Sequence, residues 1–499
     1  TVARAGVAGL RVQGAGVDLD RVAALQPPLD ALAALLEREH ARVAAARSRW
    51  LVEPLAGAVE QAEARLATAR DDAGTAAIAA RLATAMLGAD GARRYFLAVQ
   101  NPAEARAAGG IIGNFGVLVA GDGRLHLERF GRDGDLNDAA AASGPTLGGP
   151  VEYGRRYARF APERVWQNVT MSPHFPSVAE VIENLYPRQG GGTLDGVVSV
   201  DPAGLAALLE LTGPVDVPGW PEPLTAANAV PVLLHEQYLR FENQERVHFL
   251  GDTTEAVWGR LAGGDLPPLA VVARALSPAV AAKHIMLHSA HPAEQRLLER
   301  VGAGGALPTG RGDSFGLVTQ NAGANKVDWF LRRSLSYDAR FDPRTGGVSA
   351  VATVRLENRS PGSGLPAYVL GGPGAGPFPP GTNRVYLSVY TPLRARSATA
   401  GGQALALEVD REQGRNVYSA YVSVPPGDAL TLRFVLAGTV ERGPYRLHLA
   451  RQPTVRPDTT DVEVRRATDA GAGRQGGAAL VSARLRLDAD ITLASRPGR

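Results

Sequence analysis

Between two apolar runs, YFLAV (Tyr95–Val99) and FGVLVAG (Phe115–Gly121), the chain reads QNPAEARAAGGIIGN. This stretch carries a carboxylate at Glu104, a guanidinium at Arg106, amides at Asn101 and Asn114, and glycines at 109, 110 and 113. A tight hairpin needs only about two residues between its strands. A longer polar loop between buried strands is where binding groups collect. Glu104 and Arg106 are two apart, so on an extended segment they share one face. Gly109 and Gly110 let backbone N–H groups approach a ligand closely, and Asn101 and Asn114 add amide contacts. An arginine fork beside open backbone amides suits phosphate oxygens. The same residues also read as a Glu–Arg ion pair that only organises a loop.

Two other patterns carry less. GDSFG (Gly312–Gly316) matches G-x-S-x-G, but that motif needs a strand before it and a helix after it. Here a Gly/Pro-rich loop precedes and a strand-like run follows. His284, His288 and His291 have the spacing of one helical face. KHIMLHS nevertheless reads as a strand, with His284 and His288 on one side and His291 beyond it. No carboxylate accompanies them at a metalloprotease spacing.

A chain of 499 residues implies two to four domains. Basic residues number 53 against 50 acidic ones, and no basic run is interleaved with aromatics, which argues against nucleic-acid binding. With no cysteine, disulfides, thiolate zinc sites and cysteine nucleophiles are excluded. Lys283 and Lys326 are the only lysines, which reads as codon bias in a GC-rich genome. No apolar run approaches the ~20 residues of a membrane helix. The chain begins TVARAG without Met, so the expectation is a segment removed upstream, a candidate membrane anchor.

The elements that must position these groups follow from periodicity. Leu29, Leu32, Leu36, Val43 and Trp50 form one helical stripe; Leu55, Val59, Ala62, Leu66 and Ala69 form another, after Pro54. Residues 1–90 are therefore expected to be a helical hairpin or bundle. Residues 91–330 alternate strand and helix, as an α/β core does. GDGR (Gly121–Arg124) marks a hairpin turn, Asp201 and Pro202 a helix start, and Thr225 a cap for a helix reaching Leu261. Asp138–Gly149 reads as a Gly/Ala-rich loop, and Phe315–Asn321 as the last strand of the core. Residues 331–452 read as a β-sandwich, with a Gly/Pro-rich loop at Gly371–Asn383. Residues 453–499 read as a partly ordered tail with one strand-like run, Ala479–Leu487. The fold class is thus multidomain α+β.

RRYFLAVQNPAEARAAGGIIGNFGVLVAGDGRL resembles the signature of the domain-of-unknown-function family 4012, found in actinobacterial envelope proteins. The matching positions are Gln100, Asn101, Ala103, Glu104, Arg106, Gly109, Gly110, Ile112 and Gly113, with Ile111 where an aromatic is usual. FPSVAEVIENLYP, HEQYLRFENQERVHFL and NAGANKVDWFLRRSLSY extend the resemblance along the chain. DGVVSVDPAGLAALLELTGPVDV is also similar to the strand–helix–strand segment of the LytR-CpsA-Psr family. Those enzymes transfer polyprenyl-linked glycopolymers to the cell wall with arginines, aspartates and a divalent cation. By that resemblance Arg132 and Asp133 stand for an Arg-Asp pair, and Arg240 and Arg246 for arginines at a helix start. The family's Arg-Ser-Asp motif is not preserved.

The resemblances imply an extracytoplasmic, membrane-anchored envelope protein of a GC-rich bacterium with a LytR-CpsA-Psr-like core. The expected partner is an anionic cell-wall glycopolymer or its polyprenyl pyrophosphate precursor, with phosphotransfer as the implied reaction. Arg106, Arg132, Arg240 and Arg246 would neutralise phosphate oxygens, while Glu104, Asp133 or Asp135 would hold Mg2+. The lipid is expected in a tunnel lined by Leu118, Val198, Leu205 and Leu209. The alternative is a non-enzymatic structural or adhesive surface protein.

Overall fold

A computed structural model describes residues 16–46, 52–263, 267, 269–308, 310–372, 376–467 and 478–495. Trp50, the TVARAG start, and parts of the 371–383 loop and of the last segment lie outside the described residues.

The N-terminal stripes form a helical hairpin, α1 (Leu19–Ala45) and α2 (Glu53–Met86). Asp18 caps α1 by accepting from the Arg21 N–H at 3.0 Å, and Pro54 sits in the first turn of α2. Val22 packs on Ala80, and Arg81 meets Asp30 at 2.5 Å. The far end of α2 reaches the next unit, where the Tyr95 hydroxyl donates to the Met86 carbonyl at 2.9 Å.

That unit is a mixed five-stranded sheet of β1 (Arg93–Asn101), β2 (Ile111–Gly121), β3 (Arg124–Arg132), β4 (Gly196–Val200) and β5 (Ile285–Ser289), in the order β3-β2-β1-β4-β5. β1 and β4 run parallel; the other pairs are antiparallel. Asp122 and Gly123 both take positive φ, 48° and 77°, which closes the β2–β3 hairpin as the GDGR signal predicts. Side chains alternate across β1. Phe96 stacks between Phe115 and Trp166 (5.5 and 5.7 Å) on a face covered by α5 (Phe175–Arg188), while Tyr95 and Leu97 pack on the other face with Leu118, Val198 and Trp258. Helices on both faces make this a layered α/β unit.

Asp133–Ser143 is a helix, α3, not the start of a loop, and Val151–Tyr157 is another, α4. The alanine run favours the helix, and Asp135 accepts from the Arg132 N–H at 2.8 Å to start it. Asp201 accepts from the N–H groups of Ala203 and Gly204 at 2.8 and 3.0 Å, capping α6 (Pro202–Thr212) as expected. Thr225 and Asn228 cap each other's backbone ahead of a helical stretch, 229–240, that contains a π-turn at 232–236. The expected single helix is interrupted at Phe241, which is extended, and resumes as α7 (Asn243–Gly263). α8 (Leu269–Ala281) and α9 (Pro292–Arg300) flank β5.

The remaining strands are β6 (Asp313–Asn321), β7 (Leu331–Asp342), β8 (Gly347–Asn358), β9 (Asn383–Thr391), β10 (Arg394–Ala400), β11 (Gln403–Ala404), β12 (Glu408–Glu412), β13 (Arg415–Val424), β14 (Ala429–Thr439), β15 (Arg446–Ala450), β16 (Thr459–Arg466), β17 (Ala479–Arg486) and β18 (Ile491–Ala494). They form a seven-stranded sheet, β11-β10-β14-β8-β7-β16-β17, and a six-stranded sheet, β12-β13-β9-β6-β15-β18. Phe315, Tyr337, Val354, Leu387 and Leu447 share one core between the two sheets. Two assignments differ from expectation. β6 pairs with β9 and β15 rather than completing the α/β alternation. The last segment contributes β16, β17 and β18 to the two sheets. β16 lies parallel to β7, where Arg333 holds Asp458 through two bonds of 2.7 and 2.8 Å.

The sandwich and the α/β unit share a buried polar seam. Arg156 on α4 donates to Ser388 and Ser419 at 3.1 and 3.0 Å, and Tyr157 and Tyr390 donate to Glu412 at 2.8 and 2.7 Å.

Candidate functional site

The loop after β1 is ordered and divides its polar groups between two tasks. Arg106 turns towards the sandwich. Its guanidinium donates to the carbonyls of Gln167 (3.1 Å), Ala105 (3.1 Å) and Asn321 (2.8 Å) and to Asn168 Oδ1 (3.0 Å). Asp328, in the turn between β6 and β7, accepts from the Ala105 N–H at 3.0 Å and from Asn321 and Asn383 at 2.8 and 2.9 Å. Arg106 is therefore a joint between two units. Gly109 and Gly110 are buried in the same joint: a side chain on Gly110 would strike the Asn101 carbonyl, at 2.1 Å. The glycines serve chain packing there, and neither lines the cleft described next.

Glu104 points the other way. Its partner is the Lys326 ammonium from the sandwich, an ion pair across the seam with Lys326 only 2% exposed on its side chain. Asn101 donates to Glu104 at 3.3 Å and to the Tyr238 hydroxyl at 3.0 Å. Lys326 lies 4.8 Å from the Tyr238 ring centre and 4.2 Å from that of Tyr368, and Arg246 stacks on the same rings at 5.3 and 4.2 Å. Burial alone would lower the Lys326 pKa, but Glu104, Tyr238 and Tyr368 beside it outweigh that and hold it above the ordinary lysine value. Burial pushes the Tyr238 phenol up to about 12 even against the Lys326 charge, so it stays neutral while its oxygen accepts from Asn101.

These groups border a cleft of about 210 Å³. Its polar side is Asn101, Glu104, Asn114, Arg132, Asp133, Arg246 and Lys326; its apolar side includes Ile111, Leu233, Leu234 and Leu250. Three cations thus face two carboxylates. Burial raises the Asp133 carboxyl above the ordinary aspartate value, and the Glu104 charge adds to this, against a hydrogen bond from Gln167. The cleft therefore grows more cationic as pH falls through that raised value.

Among the residues nominated from sequence, Asn101, Glu104, Asn114, Arg132, Asp133 and Arg246 come together here, from four separate segments. Arg240 lies elsewhere, over the rings of Trp220 and Phe241 at 5.5 and 5.8 Å. Asp135 is occupied at the start of α3. Leu118 and Val198 pack under the sheet, and Leu209, with Leu205 against it, in a cluster beneath α7; none of them lines the cleft. The three carboxylates nominated for Mg2+ do not converge: Glu104 neutralises Lys326, and among the described residues no three His, Asp or Glu groups gather as a metal requires. The set does not fit a resident divalent cation.

Gln100, a matching position of the family signature, also lines the cleft, whereas Lys326, Tyr238, Tyr368 and Gln237 carry no site role in the sequence reading. Lys326 had a signal: in a chain that uses arginine almost throughout, a retained lysine marks a place where a compact ammonium is needed. The remaining motifs dissolve into structure. Ser314 is buried within β6. His284 meets Asp201 at 2.6 Å, His288 lies 3.5 Å from Glu183, and His291 meets Asp195 at 3.1 Å, so each has its own carboxylate.

A family model described as "Protein of unknown function (DUF4012)" matches residues 90–238, which contain β1 to β4, the loop and Tyr238. No curated protein matches the chain. A proposed nutrient binding protein of Legionella pneumophila aligns at 9% identity over 37% of this chain and 70% of its own, with a TM-score of 0.24. Yeast LTA4 hydrolase aligns at 12% identity over 34% of this chain and 29% of its own, with a TM-score of 0.20. A zinc metallopeptidase of Deinococcus radiodurans aligns at 18% identity over 33% of this chain and 38% of its own, with a TM-score of 0.17. Likenesses this slight carry neither fold nor chemistry across. Among the described residues no helix is long and apolar enough to cross a membrane.

Proposed function

We propose that this chain is an extracytoplasmic cell-envelope protein that binds an anionic envelope glycopolymer, through its polyprenyl pyrophosphate end, in the cleft beside Lys326. The observation that carries the reading is the meeting of Arg132, Arg246 and Lys326 with an apolar wall of Leu233, Leu234 and Leu250. A pyrophosphate needs several donors at once, and charge-assisted bonds to it are about twice as strong as neutral ones. A lipid beside it needs apolar surface. A LytR-CpsA-Psr-like phosphotransfer would add chemistry to this binding; no step is assigned, because the carboxylates do not form a cation site. Mg2+ enters this reading with the ligand, as its counter-ion. The rival, a structural or adhesive surface protein, needs no such cleft chemistry.

Arg246→Ala tests the proposal. Loss of one charge-assisted contact should weaken inorganic pyrophosphate binding about 10- to 100-fold in calorimetric titration. Far-UV circular dichroism should stay unchanged, because Arg246 is only partly buried at the cleft mouth. Equal affinity in wild type and variant would remove Arg246 from the site.

A further inference from the structure

We infer that Gln100 and Gln237 form a neutral subsite in the cleft that recognises a sugar attached to the phosphates, so that the ligand is a glycosyl pyrophosphate rather than a bare lipid pyrophosphate. This rests on the reading of the cleft as an anion site. Both residues line the cleft, and both are buried, 3% and 0% exposed. In each, one amide atom has no hydrogen-bond partner among the described residues: Gln100 Nε2, a donor, and Gln237 Oε1, an acceptor. Folded proteins leave few such groups unmatched, and those that remain call for a ligand or an ordered water.

The other half of each amide faces protein. Gln237 Nε2 donates to the Leu233 carbonyl inside the π-turn. Gln100 Oε1 lies against Gly109, within 2.3 Å of where a Cβ would stand. Gly109 is thus the residue that lets Gln100 hold its orientation. The two free atoms then differ in what they ask of a ligand. Ionised phosphate oxygens only accept, so they satisfy Gln100 Nε2 and leave Gln237 Oε1 bare. A lipid pyrophosphate offers no other donor. A sugar offers hydroxyl or acetamido groups that donate and accept, and it lies directly beside the phosphates it esterifies.

The test is titration of the intact chain with inorganic pyrophosphate, farnesyl pyrophosphate and farnesyl diphospho-N-acetylglucosamine. The sugar should raise affinity over farnesyl pyrophosphate about tenfold or more, the effect of one well-made hydrogen bond. Gln237→Leu should abolish that gain while leaving the affinity for inorganic pyrophosphate within about twofold. Should the first variant fold poorly, Gln100→Leu, on β1 rather than on the helical stretch, should likewise lose the gain from the sugar; because Gln100 Nε2 can also serve a phosphate oxygen, the ratio of the two affinities is read there. Binding of pyrophosphate with no gain from the sugar overturns this inference and leaves the anion site standing; the two glutamines would then hold water. No binding of pyrophosphate itself overturns the anion site and this inference with it.

Discussion

Arg106→Ala should be among the most destabilising single substitutions in the chain, costing on the order of 4 kcal/mol. The guanidinium serves three carbonyls and one side-chain amide at 2.8 to 3.1 Å, drawn from its own loop, the 166–171 turn and β6. Alanine removes every donor at once. Each largely buried acceptor left unmatched costs about 1–3 kcal/mol, less whatever water recovers. The loss falls on the joint between the α/β unit and the sandwich, so both should open together. Lysine should not rescue it, because an ammonium cannot span four acceptors held in the plane of a fork. Urea denaturation of wild type, Arg106→Ala and Arg106→Lys, followed by circular dichroism, measures this. A midpoint for the alanine variant within about 1 kcal/mol of wild type would show that the joint is held by something else.

Lys326→Met should damage folding and binding together, and the two losses should separate. Methionine keeps the volume but strips Glu104 of its counter-ion in a site where Lys326 is 2% exposed. Breaking a buried pair by removing one partner costs about 3 kcal/mol. Replacing Glu104 by Gln in the same chain removes the stranded charge and should recover most of the stability. Binding should not recover, since the ammonium that faces the cleft is still missing. Pyrophosphate affinity should fall about 100-fold or more in both the single and the double variant. Recovery of binding in the double variant would make the ion pair structural only.

Local signals in the sequence mapped well onto local structure. Pro54, the Asp122–Gly123 turn, Asp201 with Pro202, and Thr225 each act within a few residues of themselves, and each sits where its chemistry requires. Misreadings arose where a local signal was ambiguous or the answer was tertiary. The expected loop Asp138–Gly149 opens with four alanines after Asp138, which suit a loop or a helix; the bond from the Arg132 N–H to the Asp135 carboxylate starts the helix that takes them in. β6 is apolar enough for either sheet, and only its pairing with β9 and β15 places it in the sandwich. β16 alternates buried Thr460, Val462 and Val464 with outward charged residues, but only two of the eight side chains are strongly apolar, and its place beside β7 is a tertiary fact. The site divides the same way. The loop announced itself by composition. That its arginine would turn inward and its glutamate outward depended on Asn321 and Lys326, more than two hundred residues downstream. Gln237 carried no signal, because an unmatched amide is visible only once its neighbours are in place.

The central claim is that the cleft beside Lys326 binds a pyrophosphate carried on a lipid. The most direct measurement is calorimetric titration of the intact chain with farnesyl pyrophosphate and with uncharged farnesol, each with and without Mg2+. The account predicts saturable one-to-one binding of the pyrophosphate, weakened by added salt as screening reduces the pull of Arg132, Arg246 and Lys326, and no saturable binding of the alcohol. Absence of saturable pyrophosphate binding in both conditions, or equal binding of the alcohol, would contradict it and favour the structural or adhesive reading.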